Sequence, residues 1–326
     1  MRFATIGTNW ITSTFIESAR KSGKLTLKAV YSRSIDKAKD FAAKHSVPLY
    51  FNDITELAKH PEIDIVYIAS PNSLHFDHAK LLLENNKHVI CEKPIFSNIK
   101  EFTEAYTIAN NHGVYLFEAI RNIHTPNINQ LVKQLPKIGT IRSALLHYVQ
   151  YSSRYDAFLD GDTPNVFSTE FSGGALVDLG VYPLSVAIKL FGKPVTYSYH
   201  PTILRSGVDG NGTLILQYNE FVCTIICSKI SHSYIPSEIH GETGTIIMNS
   251  ATPTSLELIN NKTKERESIS VNQEDLDMVY EIDAFTNIIE NNDHHAYMKL
   301  IQFSETILSI TETVRKQNNI IFQTDK

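Results

Sequence analysis

From residue 3 to residue 117 the chain alternates between short apolar runs and segments of helical spacing, and few folds accommodate that pattern. Residues 3–7 read as a strand, and residues 10–21 carry Ile11, Phe15, Ile16 and Ala19 at helical spacing. Residues 25–31 form a second strand, after which Ser34 stands at the N-cap of a helix with Ala38, Phe41 and Ala42 on one face. Residues 48–51 are a short third strand, and Asp53 caps a helix holding Ile54, Leu57 and Ala58. Residues 64–69 are the unbroken apolar run of a strand buried on both faces. A helix over 74–85, a strand over 88–91, a capping-box pair in Asn98 and Glu101, and a strand over 114–117 complete the series. Strict alternation with short connections predicts an α/β, doubly wound parallel sheet.

In such a sheet ligands bind outside the carboxyl ends of the strands. Three of those ends carry unusual residues. The fifth strand runs through His88, Val89, Ile90, Cys91 and Glu92 into Lys93 and Pro94, so a lysine sits where a charge faces a ligand rather than bulk water. The first strand ends in Gly7-Thr8-Asn9-Trp10-Ile11-Thr12, a thinned dinucleotide fingerprint with one glycine of the usual set. Asn9 is the next-best residue for a left-handed conformation there, and the alternative is an ordinary strand-to-helix turn. The fourth strand ends in Ser70-Pro71-Asn72-Ser73-Leu74-His75, which exposes backbone and amide groups at the same edge. His75 and His78 lie one helical turn apart but have no third ligand nearby, so they read as helix-face histidines and no metal site is expected.

Beyond strand two, Ser32-Arg33-Ser34 lacks the acid that binds a ribose 2′-hydroxyl and offers an arginine, with Lys37 one turn on. That pattern favours a 2′-phosphate, hence NADP over NAD; a solvated surface arginine is the alternative.

At 326 residues two domains are the natural expectation. Hydrophobic residues at 42% supply ample core, and a net charge of −5 without a basic block argues against nucleic acid or an anionic membrane as partner. No apolar stretch approaches the ~20 residues of a membrane span, and the opening residues lack a signal-peptide layout. Cys223 and Cys227, four apart in a strand-like run, would stand ~13 Å from each other, beyond disulfide reach. With Cys91 they read as buried thiols, which points to the cytoplasm.

The alternation stops after Ala119. Residues 127–135 have helical character and 141–151 make a long strand. Residues 152–172 form an irregular stretch with Asp156, Asp160 and Asp162, either a lid over a polar substrate or a surface excursion. Residues 174–191 read as a helix on which Asp178 and Tyr182 share a face. On spacing alone Tyr182 is a core aromatic and Asp178 a solvated acid. Strand-like runs follow at 195–204, 213–218, 221–229, 235–240, 245–248 and 255–259, with turn chemistry between them such as Asp209-Gly210-Asn211-Gly212, so a largely antiparallel sheet is expected. Two helices, over 276–291 and 294–316, close the chain.

Gly7-Thr8-Asn9-Trp10-Ile11, Ser70-Pro71-Asn72-Ser73-Leu74-His75 and Glu92-Lys93-Pro94, followed by Gly173-Gly174-Ala175-Leu176-Val177-Asp178-Leu179-Gly180-Val181-Tyr182-Pro183, resemble the glucose–fructose oxidoreductase/inositol dehydrogenase (Gfo/Idh/MocA) family. Tyrosine at 182 is most similar to the branch with dihydrodiol dehydrogenases and NADP-dependent sugar oxidoreductases. The resemblance implies a Rossmann domain over residues 1–120 and a substrate-binding, dimerising α+β domain over 121–326. It also implies a homodimer formed through the open face of the second sheet. It reverses the bland reading of Asp178 and Tyr182: Lys93 and Tyr182 become the proton-handling groups, because a nearby ammonium favours a phenolate, and Asp178 would orient the substrate hydroxyl or Lys93. Candidate cofactor contacts are Gly7, Thr8, Asn9, Trp10, Ile11, Ser32, Arg33, Lys37, Ser70, Pro71, Asn72, His75, Glu92 and Lys93. Arg121 joins Lys93, Asp178 and Tyr182 as a candidate substrate contact. The expected activity is hydride transfer between NADP, with NAD as the other possible cofactor, and a CH–OH or C=O group of a sugar, polyol or dihydrodiol. Two other readings stay open: a non-catalytic NADP-sensing regulator on the same fold, and a reductase of a non-carbohydrate carbonyl or conjugated substrate.

Overall fold

The computed structural model describes the whole chain, Met1–Lys326. It divides into two compact units, one of Met1–Arg121 with Glu274–Glu305, the other of Asn122–Gln273 with Thr306–Lys326.

In the first unit strand and helix alternate as β1 (Arg2–Ile6), α1 (Trp10–Ser22), β2 (Thr26–Tyr31), α2 (Ile35–Lys44), β3 (Leu49–Phe51), α3 (Ile54–Lys59), β4 (Ile65–Ile68), α4 (His75–Glu84), β5 (His88–Glu92), α5 (Ile99–His112) and β6 (Leu116–Ala119). All six strands are parallel, in the order β3-β2-β1-β4-β5-β6. The caps are those that the polar residues dictate. Ser34, Asp53 and Asn98 accept from Lys37, Thr55 and Glu101 amides. Glu101 also accepts the Ser97 amide, one residue ahead of the N-cap. Asn9 departs from expectation. Its backbone is extended, with φ −91° and ψ −178°, and its side chain caps α1 by accepting the Thr12 amide. Capping, which needs an extended residue, decides the conformation at this turn.

The helix Met278–Asn291 belongs to this unit as well. It sets Met278, Ile282, Phe285 and Ile288 against Phe15, Ile16, Tyr67 and Phe117. The Phe117 and Phe285 rings stack at 4.5 Å. Four such buried side chains contribute roughly 6–12 kcal/mol before entropy, as much as the net stability of a typical domain. The first core is therefore incomplete without a segment from the far end of the chain.

The second unit opens with α6 (Pro126–Gln134) and β7 (Ile141–Val149), then α7 (Tyr155–Leu159) and α8 (Val181–Phe191). Strands β8 (Thr196–Ile203), β9 (Asp209–Gln217), β10 (Val222–Ser228), β11 (Ser237–Gly241), β12 (Gly244–Met248), β13 (Leu256–Asn260) and β14 (Arg266–Ser268) follow. The eight strands lie in the order β14-β13-β12-β11-β7-β10-β9-β8, antiparallel throughout except for β7 against β10. One face buries Leu146, Leu214, Ile225, Ile239 and Ile246.

Three local expectations change. Asp209-Gly210-Asn211-Gly212 is not a turn but the start of β9, paired with β8 and β10. The glycines serve side-chain packing: a Cβ on Gly212 would overlap the Tyr199 ring. The single helix expected over 174–191 begins instead as a π-turn, Leu176–Gly180, before α8. The irregular stretch 152–172 contains α7 and a short 3-10 turn, Asn165–Phe167, whose Phe158 and Phe167 pack with Val208.

Candidate active site

Strand register brings the sequence motifs of the first unit to one edge. Ile6 pairs with Tyr31 on one side and Ile68 on the other, and Ile68 pairs with Cys91. The residues just beyond, Ser32, Gly7, Ala69-Ser70 and Glu92-Lys93, therefore line neighbouring strand ends. Between β1 and β4 the strand order reverses, which is where open α/β sheets bind ligands.

The β1 turn fits a dinucleotide. Gly7 has φ +111°, and a Cβ there would stand 2.7 Å from the Ala69 carbonyl oxygen, so only glycine fits this turn. Asn9 Nδ2 donates to that carbonyl at 3.3 Å, joining the turn to the end of β4. The Trp10 and Ile11 amides fall in the first turn of α1, where no earlier helical carbonyl can accept them. Such a helix start attracts phosphate. Trp10 is 70% exposed. Thr8 and Ser32 are half-buried, while Arg33 and Lys37 are exposed past β2.

At the end of β4, Ser70, Pro71 and Asn72 are half-buried, and Ser70 Oγ is 3.1 Å from His78 Nδ1. Burial pulls the His78 pKa down to about 4, helped by the charges of His75 and Arg33. His75 is fully buried, with Nδ1 at 3.0 Å from the Pro94 carbonyl and Nε2 at 2.9 Å from the Ser70 carbonyl. Burial favours the neutral ring and lowers its pKa, whereas the two carbonyls and the Ile95 backbone favour the charged form. His75 thus acts on the protein's own backbone, tying the β4 edge to the residue after Lys93.

In the run Val89–Asn98 every residue is buried except Lys93. Beneath it lie three buried carboxyls. Glu92 accepts the Tyr67 hydroxyl at 2.5 Å, and its pKa is raised by burial against the pull of that hydrogen bond and of Lys93. Glu118 accepts the Ile95 amide at 2.9 Å and is pushed up to about 7 by burial. Glu281, on the returning helix, is driven well above its ordinary value, again by burial. Arg121, at the end of this unit's first segment, pairs with Asp277 at 3.2 Å.

In the second unit the π-turn and α8 carry Asp178 and Tyr182. From Ser172 to Ile188 only Asp178 and Leu179 escape full burial. Two buried groups fix the segment. Asp209 accepts the Leu176 amide at 2.7 Å and the Tyr199 hydroxyl at 2.6 Å, two donors that hold down a carboxyl whose pKa burial raises. Gly174, with φ +129°, leaves room for it, since a Cβ there would overlap Asp209 Oδ1. Asn122 Nδ2 donates to the Tyr182 carbonyl at 3.2 Å and to the Ala251 carbonyl at 2.9 Å, and Ser185 Oγ donates to the same Tyr182 carbonyl. The Tyr182 ring lies 5.6 Å from that of Tyr148.

Asp178 is ion-paired with Lys229, just beyond β10. Sequence reasoning missed Lys229, because nothing in its spacing marks a partner 51 residues back. Asn122 and Asp209 were also missed, since they stand in polar or glycine-rich stretches that read as connections and their buried partners are distant in sequence.

Residues 1–120 match the family model described as oxidoreductase family, NAD-binding Rossmann fold (Gfo/Idh/MocA), and residues 130–247 match the Gfo/Idh/MocA C-terminal domain. The chain is 43% identical to scyllo-inositol 2-dehydrogenase (NADP(+)) IolU of Bacillus subtilis (strain 168), over 100% of this chain and 99% of that one. It is 28% identical to trans-1,2-dihydrobenzene-1,2-diol dehydrogenase of Sus scrofa, over 91% of this chain and 90% of the relative. Among solved structures, the 3-ketoreductase KijD10 from Actinomadura kijaniata, in complex with NADP and TDP-benzene, shares the fold at a TM-score of 0.84 and 22% identity, covering 97% of each chain.

Proposed function

The chain belongs to the Gfo/Idh/MocA oxidoreductase family, and on that premise we propose that it moves a hydride between NADP and a small polyhydroxylated substrate, at a CH–OH or C=O group. It is an NAD(P)-dependent oxidoreductase with a Rossmann unit. The observation that carries the substrate-side reading is Lys93, the one residue of a buried run that keeps partial solvent access, at the ligand-binding edge of the parallel sheet.

The Gly7 turn and the start of α1 would hold the pyrophosphate, and Arg33 with Lys37 the 2′-phosphate. Ser70, Pro71 and Asn72 offer further contacts at the same edge, while His75 and Glu92 support them from beneath. When bound, NADP supplies hydride acceptance or donation. The chain's own task is the proton. Tyr182 Oη takes it from the substrate hydroxyl during oxidation and returns it during reduction. Lys93 Nζ donates a hydrogen bond to the reacting oxygen. Asp178 accepts from a neighbouring substrate hydroxyl. Arg121 is a further substrate contact. Residues 1–120 serve the cofactor, and residues 121–326 serve substrate and assembly.

A homodimer through the second sheet is supported by the row Ile247, Glu238, Leu145, Thr224 and Ile215, which crosses its outer face and is nowhere fully buried. Three buried free thiols support a reducing, cytoplasmic setting.

The test is reduced-nicotinamide formation with NADP and a panel of inositols, sugars and dihydrodiols, run beside a thermal-shift screen with NADPH and NADH. Turnover of at least one polyol with NADP is expected. Binding of NADPH with no turnover of any member would overturn the catalytic reading in favour of a nucleotide sensor.

A further inference from the structure

Lys229 is built into the second sheet from both sides. Its amide donates to the Gly210 carbonyl at 2.8 Å, and its carbonyl accepts the Ser152 amide at 2.8 Å. Its side chain is 5% exposed, against 27% for that of Asp178, and Nζ lies 5.7 Å from the centroid of the buried Phe167 ring. Nζ donates to Asp178 Oδ2. The pair forms because the π-turn packs directly on β10: a Cβ on Gly180 would stand 3.2 Å from Cys227 Sγ, so no side chain separates the two elements there.

A half-buried carboxylate among apolar neighbours tends to lose its charge unless a cation and hydrogen bonds keep it. Lys229 is that cation, and it is too deeply buried to meet a substrate itself. We infer that Lys229 is a positioning residue of the reaction: it fixes the plane and the charge of Asp178 so that this carboxylate accepts from a hydroxyl of the bound polyol. A carboxylate has about four acceptor sites, so an ion pair does not exhaust it. Lys229 thereby holds Asp178 from within the second unit.

A buried ion pair is a weak source of stability, and an apolar replacement is often tolerated, so Lys229→Met is expected to fold. The inference rests on the oxidoreductase reading, and steady-state kinetics on the parent, Lys229→Met, Lys229→Arg, Asp178→Asn and the Lys229→Met/Asp178→Asn double variant separate the two. An inactive parent sinks that reading and this one with it. With an active parent, Lys229→Met should lose at least ~10-fold in polyol kcat/KM, a loss of about 1.4 kcal/mol or more, while NADPH affinity is unchanged. Lys229→Arg should recover most of that loss, and the double variant should be no slower than Asp178→Asn alone. Parent-like kinetics in Lys229→Met, full additivity in the double variant, or an arginine variant as poor as the methionine one would each overturn the inference. If Lys229→Met does not fold, the last two variants still decide. The Asp178→Asn change removes the need for a cation, so the double variant is then expected to fold and to match Asp178→Asn.

Discussion

The Asn9 side chain donates to the Ala69 carbonyl and accepts the Thr12 amide, so one residue caps α1 and fastens the β1 turn to the end of β4. Asn9→Ala should cost about 1 kcal/mol for the lost cap, read from urea denaturation. It should also weaken NADPH binding, because the turn loses its tie to β4. A stability loss with unchanged affinity would reduce Asn9 to a cap alone. Trp10, the chain's one tryptophan, next in sequence, offers an intrinsic fluorescence signal for that titration.

Lys93→Met should lower turnover by at least ~100-fold, within the range of general acid–base contributions, while NADPH still binds. Tyr182→Phe should also remove most activity. If Tyr182→Phe turns over normally, Lys93 handles the proton by itself.

Arg33→Ala should weaken NADPH binding by ~10-fold or more, the worth of a charged hydrogen bond, and leave NADH unaffected. A parallel loss for both cofactors would assign Arg33 to the turn rather than to the 2′-phosphate.

Glu118 gives stability a particular pH dependence. Its folded pKa of about 7 lies above the ordinary 4.5, so the folded protein holds a proton that the unfolded chain releases between those values. Its contribution is complete below the unfolded value and lost as pH rises through the folded one, a change of about 3 kcal/mol in favourable conditions. Glu118→Gln keeps an oxygen for the Ile95 amide and should flatten unfolding free energy across that window. An unchanged slope would mean that the carboxyl is ionised in the folded state.

The first sheet is legible in the sequence because its strands are short runs dominated by apolar residues, strictly alternating with helices whose N-caps are marked by polar residues. Ile65–Ile68 is buried at every position, and Ser34, Asp53 and Asn98 cap as their chemistry demands. Strand β14 is not legible, since Arg266, Glu267 and Ser268 are all exposed and carry no alternation. The start of β9 reads as a turn because Gly210 and Gly212 are turn residues in isolation, and only the side chains of Leu204 and Tyr199 lying over them explain their use in a strand. In the site, Lys93 is visible by its place at a strand end. Lys229 is not, because ion pairing across the fold leaves no periodic trace.

The helix Met278–Asn291 carries a consequence for how the protein is made. Its Met278, Ile282, Phe285 and Ile288 complete the core of a unit whose sheet ends at Ala119. Thr306–Lys326 likewise returns to the second unit. During synthesis the parallel sheet therefore emerges with one side of its apolar interior uncovered and stays so until residues 278–291 have been made. Neither unit closes on its own schedule, and each waits for a segment made more than a hundred residues after its first strand.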